Sequence, residues 1–152
     1  MLGSLTRWLR LLGFDAAYAG SVATDEEVLA QAEREDRFIV TRDLQLVQRC
    51  IKKGTPALLL KPGTKEEQIL ILLTHSGAPL DPKRFLTRCT ECGATLDKVG
   101  LDAVAAKVPE SVRGLHTEYS LCPSCGHVYW QGSHVTEIEA KILDLARKLA
   151  EA

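Results

Sequence analysis

The sequence lacks the features that mark membrane proteins, secreted proteins and strongly basic nucleic-acid-binding proteins. Its longest apolar run, Ile69–Leu73, is far too short to span a bilayer, and Arg7 and Arg10 interrupt the apolar start, so there is no signal-peptide core. Lys and Arg number 19 against 20 Asp and Glu, and the net charge of −1 gives no global positive field. We therefore expect a cytoplasmic protein without a membrane partner, in which any basic patch is local.

Several enzyme motifs are also missing. The sequence contains no P-loop, no dinucleotide-binding glycine fingerprint and no serine-nucleophile elbow. Aromatic residues make up only 5% of the chain, but 45% hydrophobic and 26% charged residues are ordinary for a globular protein. A chain of 152 residues can bury a core and also carry a small appendage.

The cysteines, by contrast, form a strong pattern of two Cys-x-x-Cys-Gly knuckles. In each knuckle a tight turn can aim both sulfurs at one ion, and Gly93 and Gly126 let the backbone curl over them. Four thiolates predict a closed tetrahedral Zn²⁺ site, which organises the fold and does no chemistry. The alternative is two reduced or disulfide-bonded pairs. Cys-x-x-Cys pairs on a chain without a secretory signal favour a reducing compartment. The predicted zinc ligands are Cys89, Cys92, Cys122 and Cys125.

The first 75 residues alternate between helical and strand patterns. Unbroken apolar strands separated by helices predict a parallel α/β sheet with helices on both faces. Capping boxes at Thr24 and Thr64 open two of the helices, and Gly13 ends the first. The fifth cysteine, Cys50, is predicted to be a small buried hydrophobe. The predicted strands are Ala16–Ala19, Phe38–Thr41 and Ala57–Leu60.

The rest of the chain predicts a smaller second domain. Gly77, Pro79 and Pro82 mark a linker, and we place the boundary so that the domains are residues 1–86 and 87–152. The second domain combines the zinc ribbon with a closing helix, for which Thr136-x-x-Glu139 provides a cap. We expect Tyr129 and Trp130 to pack the ribbon against the main domain, with His134 a weak candidate for a further role.

Two aspartates are candidates for a catalytic pair. Ligands collect at the carboxyl ends of parallel strands, where Asp43 follows the strand that ends at Thr41. Asp25 opens a helix on the same edge, and its helical spacing from Val28 and Leu29 turns it inward. Two carboxylates suit Mg²⁺ or Mn²⁺, ions that can activate water for phosphodiester cleavage. Equally, Asp25 can stabilise its helix dipole and Asp43 can cap its helix.

Local basic residues are candidates for contacts with RNA. Arg7 and Arg10, on either side of Trp8, could follow a phosphate backbone, and Arg42 could add positive charge. The alternative is a surface helix with snorkelling arginines and a solvated helix face.

Four segments of the sequence, taken together, resemble the pattern of one family. They occur in the same order as in that family and extend over essentially the whole chain. That family is the PIN-like ribonuclease domain known from the C-terminus of the Mut-seven exonuclease, which also occurs alone in prokaryotes. The resemblance implies a PIN-like, Rossmann-like α/β domain with a zinc ribbon and metal-dependent cleavage of RNA. It implies that Thr41 and Asp43 form the Thr-x-Asp signature and that Asp25 is the acidic residue of the second helix. The segments are Met1–Asp15, Asp25–Glu27, Thr41–Asp43 and Cys122–His134.

The chain departs from that family pattern at its start. The pattern begins with a strand that carries an aspartate and leads into the Met-Leu-Gly segment, whereas this sequence begins at that methionine. Lys61, not an acid, follows the last predicted strand. Three explanations stay open: the strand is encoded upstream, a partner's strand fills the gap in a homodimer, or the protein binds RNA without cutting it. We expect the first, with the chain as given weakly active or inactive. A non-catalytic RNA-binding or protein-interaction module stabilised by zinc is the alternative.

Overall fold

The computed structural model describes residues 2–151 and shows a mixed α/β fold, as predicted. The chain forms two compact units and passes from one to the other within the first helix, α1 (Leu2–Leu11), between Ala17 and Tyr18, and between Gly77 and Ala78. The first unit comprises Tyr18–Gly77 with the first turn of α1, and the second comprises Thr6–Ala17 with the chain from Ala78 onward. The predicted boundary at residue 86 stays a prediction. No helix within residues 2–151 is long and apolar enough to cross a membrane.

The first unit has a short parallel sheet. Its strands pair in register from Ile39↔Ala57 to Thr41↔Leu59, and the Leu60 amide donates to the Thr41 carbonyl (2.8 Å). Each strand is buried or half-buried along its length, which explains why unbroken apolar runs in the sequence located both strands. The strands are β1 (Ile39–Thr41) and β2 (Ala57–Leu59).

Three helices accompany these strands. Both predicted capping boxes are present: the hydroxyls of Thr24 and Thr64 accept from the backbone three residues on, and the Glu side chains there accept in return. Cys50 is fully buried in a core with Leu29 and Leu46, as predicted. The helices are α2 (Asp25–Glu35), α3 (Leu44–Lys53) and α4 (Lys65–Ser76).

The predicted strand at Ala16–Ala19 is wrong, because this segment has no regular structure. The Ala16 amide donates to the Phe14 carbonyl, and the Ala16 carbonyl accepts from Arg10 Nε (2.8 Å). These local bonds use the backbone groups that a strand would offer to a neighbour. Apolar composition is therefore not enough, since a strand also needs a paired ladder.

The second unit contains the ribbon and the closing helix. β4 pairs antiparallel with both β3 and β5, and two short turns of helix lie in the connection between β3 and β4. The closing helix begins at Ser133, so Thr136 lies within it and the predicted cap is wrong. Ile142 and Leu145 are the buried residues of this helix. The elements are β3 (Asp97–Val99), α5 (Leu101–Val104), β4 (Tyr119–Leu121), β5 (Val128–Trp130) and α6 (Ser133–Glu151).

The ribbon has its own apolar core, which lies on one face of its sheet. Tyr119 is 1% exposed and packs with Val104 and Val108 of the β3–β4 connection. Val128 and Trp130, alternate residues of β5, pack against the same cluster. Strand alternation therefore leaves Tyr129, the residue between them, for the opposite face.

Candidate metal centre and active site

The four cysteines converge on one point in the second unit. All four sulfurs lie within 4.8 Å of one another, with Cys89 Sγ 3.5 Å from Cys125 Sγ and Cys92 Sγ 3.4 Å from Cys122 Sγ. Both of these close pairs join one knuckle to the other. The five cysteines of the chain are free thiols, so the alternative of disulfide-bonded pairs does not hold.

This arrangement fits a tetrahedral metal such as zinc. Zn–S bonds of about 2.3 Å place tetrahedral sulfurs about 3.8 Å apart, close to the separations found here. Both knuckle glycines have positive φ, +84° at Gly93 and +79° at Gly126, and their amides donate to the carbonyls of Cys89 and Cys122. The glycines thus close the two turns as the sequence predicted.

The knuckle backbones also act on the charge of the sulfurs. Burial opposes ionisation of Cys122, but amide hydrogen bonds from Cys125 and Ser124 lower its pKa to about 6. A backbone hydrogen bond from His127 acts to lower the pKa of Cys125, yet desolvation and the neighbouring sulfurs raise it to about 12. Four thiols this close cannot all ionise without a cation among them, and a divalent metal supplies that charge.

In the first unit, Thr41 and Asp43 form a tight turn at the carboxyl end of β1. Thr41 is 8% exposed, and its Oγ1 accepts from the Asp43 amide (3.0 Å). Asp43 is the N-cap of α3, and its Oδ1 accepts from the amides of Gln45 (2.8 Å) and Leu46 (3.4 Å). Asp43 therefore does cap its helix, while its exposed position leaves the carboxylate accessible to solvent.

Asp25 is turned inward relative to its neighbour, as the helical spacing predicted. Its side chain is 29% exposed, against 75% for Glu26. Arg49 of α3 lies against both residues, with its Nη1 3.6 Å from Asp25 Oδ2 and 2.5 Å from Glu26 Oε1. A backbone hydrogen bond and these contacts with Arg49 lower the pKa of Glu26.

The two aspartates have separate partners, because Asp25 contacts Arg49 and Asp43 contacts the backbone of α3. Within residues 2–151, the cysteines form the one group of three or more Cys, His, Asp or Glu side chains close enough to share an ion. Hard oxygen donors suit Mg²⁺ or Mn²⁺, which commonly bind one or two carboxylates and complete their shell with water and substrate phosphate. The donor chemistry therefore fits such an ion, with a minimal protein contribution.

The three predicted RNA-contacting arginines have different environments. Arg10 is only 7% exposed, and its Nε and Nη1 donate to the carbonyls of Ala16 (2.8 Å) and Thr90 (2.9 Å). Its guanidinium is thus engaged inside the second unit rather than presented to a phosphate. Arg7 is 61% exposed and pairs with Glu91 (3.2 Å), and Arg42 is exposed beside Asp43.

Comparison with known proteins agrees with this architecture. The fold and site define a mixed α/β protein with a four-cysteine cluster that can hold a metal ion such as zinc. A family model described as the Mut7-C RNAse domain matches residues 1–142, so the chain belongs to the Mut7-C RNAse domain family, and the predicted resemblance is confirmed. Membership in this ribonuclease-type family implies RNA as the substrate class. No match was found among curated proteins or among solved structures.

Sequence reasoning missed three side chains that contact the candidate sites. Tyr129, expected to pack between domains, has its hydroxyl 3.1 Å from Cys89 Sγ, and His127 Nδ1 lies 3.2 Å from Cys125 Sγ. A signal for both was present, since Tyr129 on the strand after the second knuckle and His127 just before that strand are two residues apart, a spacing that favours one face. Arg49 carried no comparable signal, because its contact depends on how α2 and α3 pack.

Proposed function

We propose that this protein is a metal-dependent ribonuclease that hydrolyses phosphodiester bonds of RNA. The observation that carries the proposal is the Thr41–Asp43 turn at the carboxyl end of β1, in a chain of a ribonuclease-type family. Ligand sites collect at this end of parallel strands. Localisation in the reducing cytoplasm, where the four cysteines keep their thiol form, belongs to the same proposal.

In this proposal Asp43 and Asp25 hold a Mg²⁺ or Mn²⁺ ion together with the RNA phosphate. When bound, such an ion lowers the pKa of water and stabilises the departing oxygen. Thr41 positions Asp43, since its buried hydroxyl accepts a hydrogen bond from the Asp43 amide and so fixes the turn. The α3 amides that donate to Asp43 Oδ1 keep the carboxylate oriented. Arg42, exposed next to Asp43, contacts the RNA backbone.

One observation favours a second candidate function, RNA binding without cleavage. Arg49 places a positive charge 3.6 Å from the Asp25 carboxylate, where it competes with a bound cation. Neither Asp25 nor Asp43 belongs to a group of three or more potential metal-ligating side chains within residues 2–151. A protein of this kind would bind RNA with an affinity that falls as salt rises, but would not cut it.

The substitution Asp43→Asn tests the catalytic assignment. Asn caps a helix about as well as Asp, so the fold is retained while the negative charge is removed. We expect cleavage of a labelled single-stranded RNA in Mn²⁺ to fall by about 100-fold or more, with RNA affinity nearly unchanged. The chelator EDTA should abolish cleavage by the wild type.

Asp81→Asn is the matched control, because Asp81 Oδ1 also caps a short helical turn by accepting an amide, that of Lys83 (3.0 Å). This variant should cleave at the wild-type rate. Wild-type cleavage by Asp43→Asn would refute the catalytic role. Salt-dependent RNA binding without cleavage, by the chain as given and by a form that also carries the family's first strand, would establish the second candidate. Absence of RNA affinity would leave a zinc-stabilised protein-interaction module.

A further inference from the structure

Strand β5 of the ribbon and the residue before it, His127, carry chemically different groups at alternate positions. Val128 and Trp130 pack into the apolar cluster around Tyr119. His127 and Tyr129, which alternate with them, lie with ring centroids 6.4 Å apart and reach the cysteines instead. The strand that follows the second knuckle thus carries polar groups to the sulfurs while its other face holds the ribbon together.

Each of these two polar groups contacts a different knuckle. Tyr129 Oη lies 3.1 Å from Cys89 Sγ of the first knuckle and 3.2 Å from Thr90 Oγ1. His127 Nδ1 lies 3.2 Å from Cys125 Sγ of the second knuckle. Cys89 is fully buried, whereas Cys125 is exposed. One buried and one exposed sulfur therefore each have a side-chain partner, from β5 and from the residue that precedes it.

The chemistry of a metal-bound thiolate fixes the direction of these hydrogen bonds. A thiolate sulfur can only accept, so Tyr129 Oη must donate to Cys89 Sγ and His127 must carry its proton on Nδ1. Once the tyrosine proton points at the sulfur, the phenol oxygen is free to accept from the Thr90 hydroxyl. The result is an ordered relay in which Thr90 donates to Tyr129 and Tyr129 donates to Cys89.

We propose that Tyr129, supported by Thr90, and His127 are positioning residues of the metal centre that set how tightly it retains zinc. Each hydrogen bond withdraws charge from a thiolate and holds its sulfur in the direction of the ion. The inference concerns the four-cysteine site alone, and it does not depend on the proposed ribonuclease activity.

Tyr129→Phe in the full chain is the first test, because it removes only the hydroxyl. Loss of such a partner typically weakens metal binding 10- to 100-fold, so we expect at least about a 10-fold loss of Zn²⁺ affinity in competition with a chromophoric chelator. In the Co²⁺-substituted protein, the sulfur-to-cobalt charge-transfer band should move to lower energy, because the sulfur has lost a donor. A merely structural role would leave that band in place.

Tyr119→Phe is the matched control for this change. Tyr119 lies in the same ribbon, but its hydroxyl donates to the His116 carbonyl (3.3 Å). Zinc affinity and the cobalt band should both stay at wild-type values in this variant. Tyr129→Phe with a zinc affinity within twofold of wild type, or with an unshifted cobalt band, would overturn the proposal for Tyr129.

Thr90→Val tests the relay, since valine has the same shape without the hydroxyl. We expect a smaller loss of affinity than for Tyr129→Phe, and no additional loss when the two changes are combined. Additive losses in the double variant would show that Thr90 acts independently, and would overturn the relay.

The substitution His127→Ala should weaken zinc binding. The substitution His127→Asn should retain part of the affinity, because asparagine can place an amide N–H near the position of Nδ1. His116→Ala is the control, because His116 packs against Tyr119. Equal affinities of the His127→Ala and His116→Ala variants would overturn the role of His127.

Discussion

Arg10 and Arg7 lie three residues apart on α1, and the structure predicts very different costs for removing them. Arg10 is 7% exposed and donates to two carbonyls, that of Ala16 and that of Thr90 in the first knuckle. The ideal Cβ position of Gly93 lies only 3.0 Å from Arg10 Nε, so the knuckle packs closely over the guanidinium. Arg7, by contrast, is 61% exposed and forms one surface ion pair with Glu91.

The perturbation is Arg10→Met, which keeps much of the aliphatic stem and removes the guanidinium. A hydrogen bond that involves a charged group contributes about 1.5–3 kcal/mol, so two bonds give roughly 3–6 kcal/mol. Part of this loss is offset, because the variant no longer has to remove a charged guanidinium from water when it folds. We therefore expect a net loss of about 3 kcal/mol in the free energy of unfolding. Arg7→Met should cost less than about 1 kcal/mol, because exposed ion pairs contribute little.

The assay is urea denaturation of the zinc-loaded chain, with thermal unfolding as a second measurement. For a chain of this size, about 3 kcal/mol corresponds to a fall in Tm of roughly 6–12 °C. Amide exchange should also rise in the first knuckle of the Arg10 variant, whose Thr90 carbonyl has lost its partner. Equal stability of the two variants would refute the reasoning that the buried guanidinium joins α1 to the knuckle.

Three further predictions concern the backbone and the thiols. Gly13→Ala should lower the free energy of unfolding by about 3 kcal/mol or more, because φ is +89° and the new Cβ would lie 2.4 Å from the Arg84 carbonyl oxygen. Gly20→Ala, at φ +88° with no atom within 4 Å of the new Cβ, should cost only about 1–2 kcal/mol. Equal costs in urea denaturation would contradict the steric argument. Chelation of zinc should remove the amide protection of β3–β5 in hydrogen exchange, since a structural zinc contributes folding free energy; protection that survives chelation would show a ribbon stable without metal. Iodoacetamide added to the chelated protein should give four adducts by mass spectrometry rather than five. Cys50 should not react, because it is fully buried and its burial raises the pKa of the thiol. Rapid modification of Cys50 would contradict that placement.

The sequence alone determined the elements whose signals are local. Two capping boxes, the stop at Gly13, the apolar runs of β1 and β2 and the paired knuckles each depend on residues within a few positions of one another. Such patterns act through backbone geometry and short-range hydrogen bonds, which do not depend on tertiary contacts. The inward turn of Asp25 and the burial of Cys50 followed from helical spacing in the same way.

Only the tertiary structure decided the partners of those elements. The Ala16–Ala19 segment has strand-like composition, but the Ala16 carbonyl is taken by Arg10, whose own burial no periodicity predicts. Arg49 meets Asp25 because two helices pack together, across 23 intervening residues of chain. Tyr129 meets Cys89 because the ribbon folds back on itself. Contacts between residues distant in sequence depend on packing, and packing is settled by the whole set of apolar faces at once, so a local pattern cannot specify them.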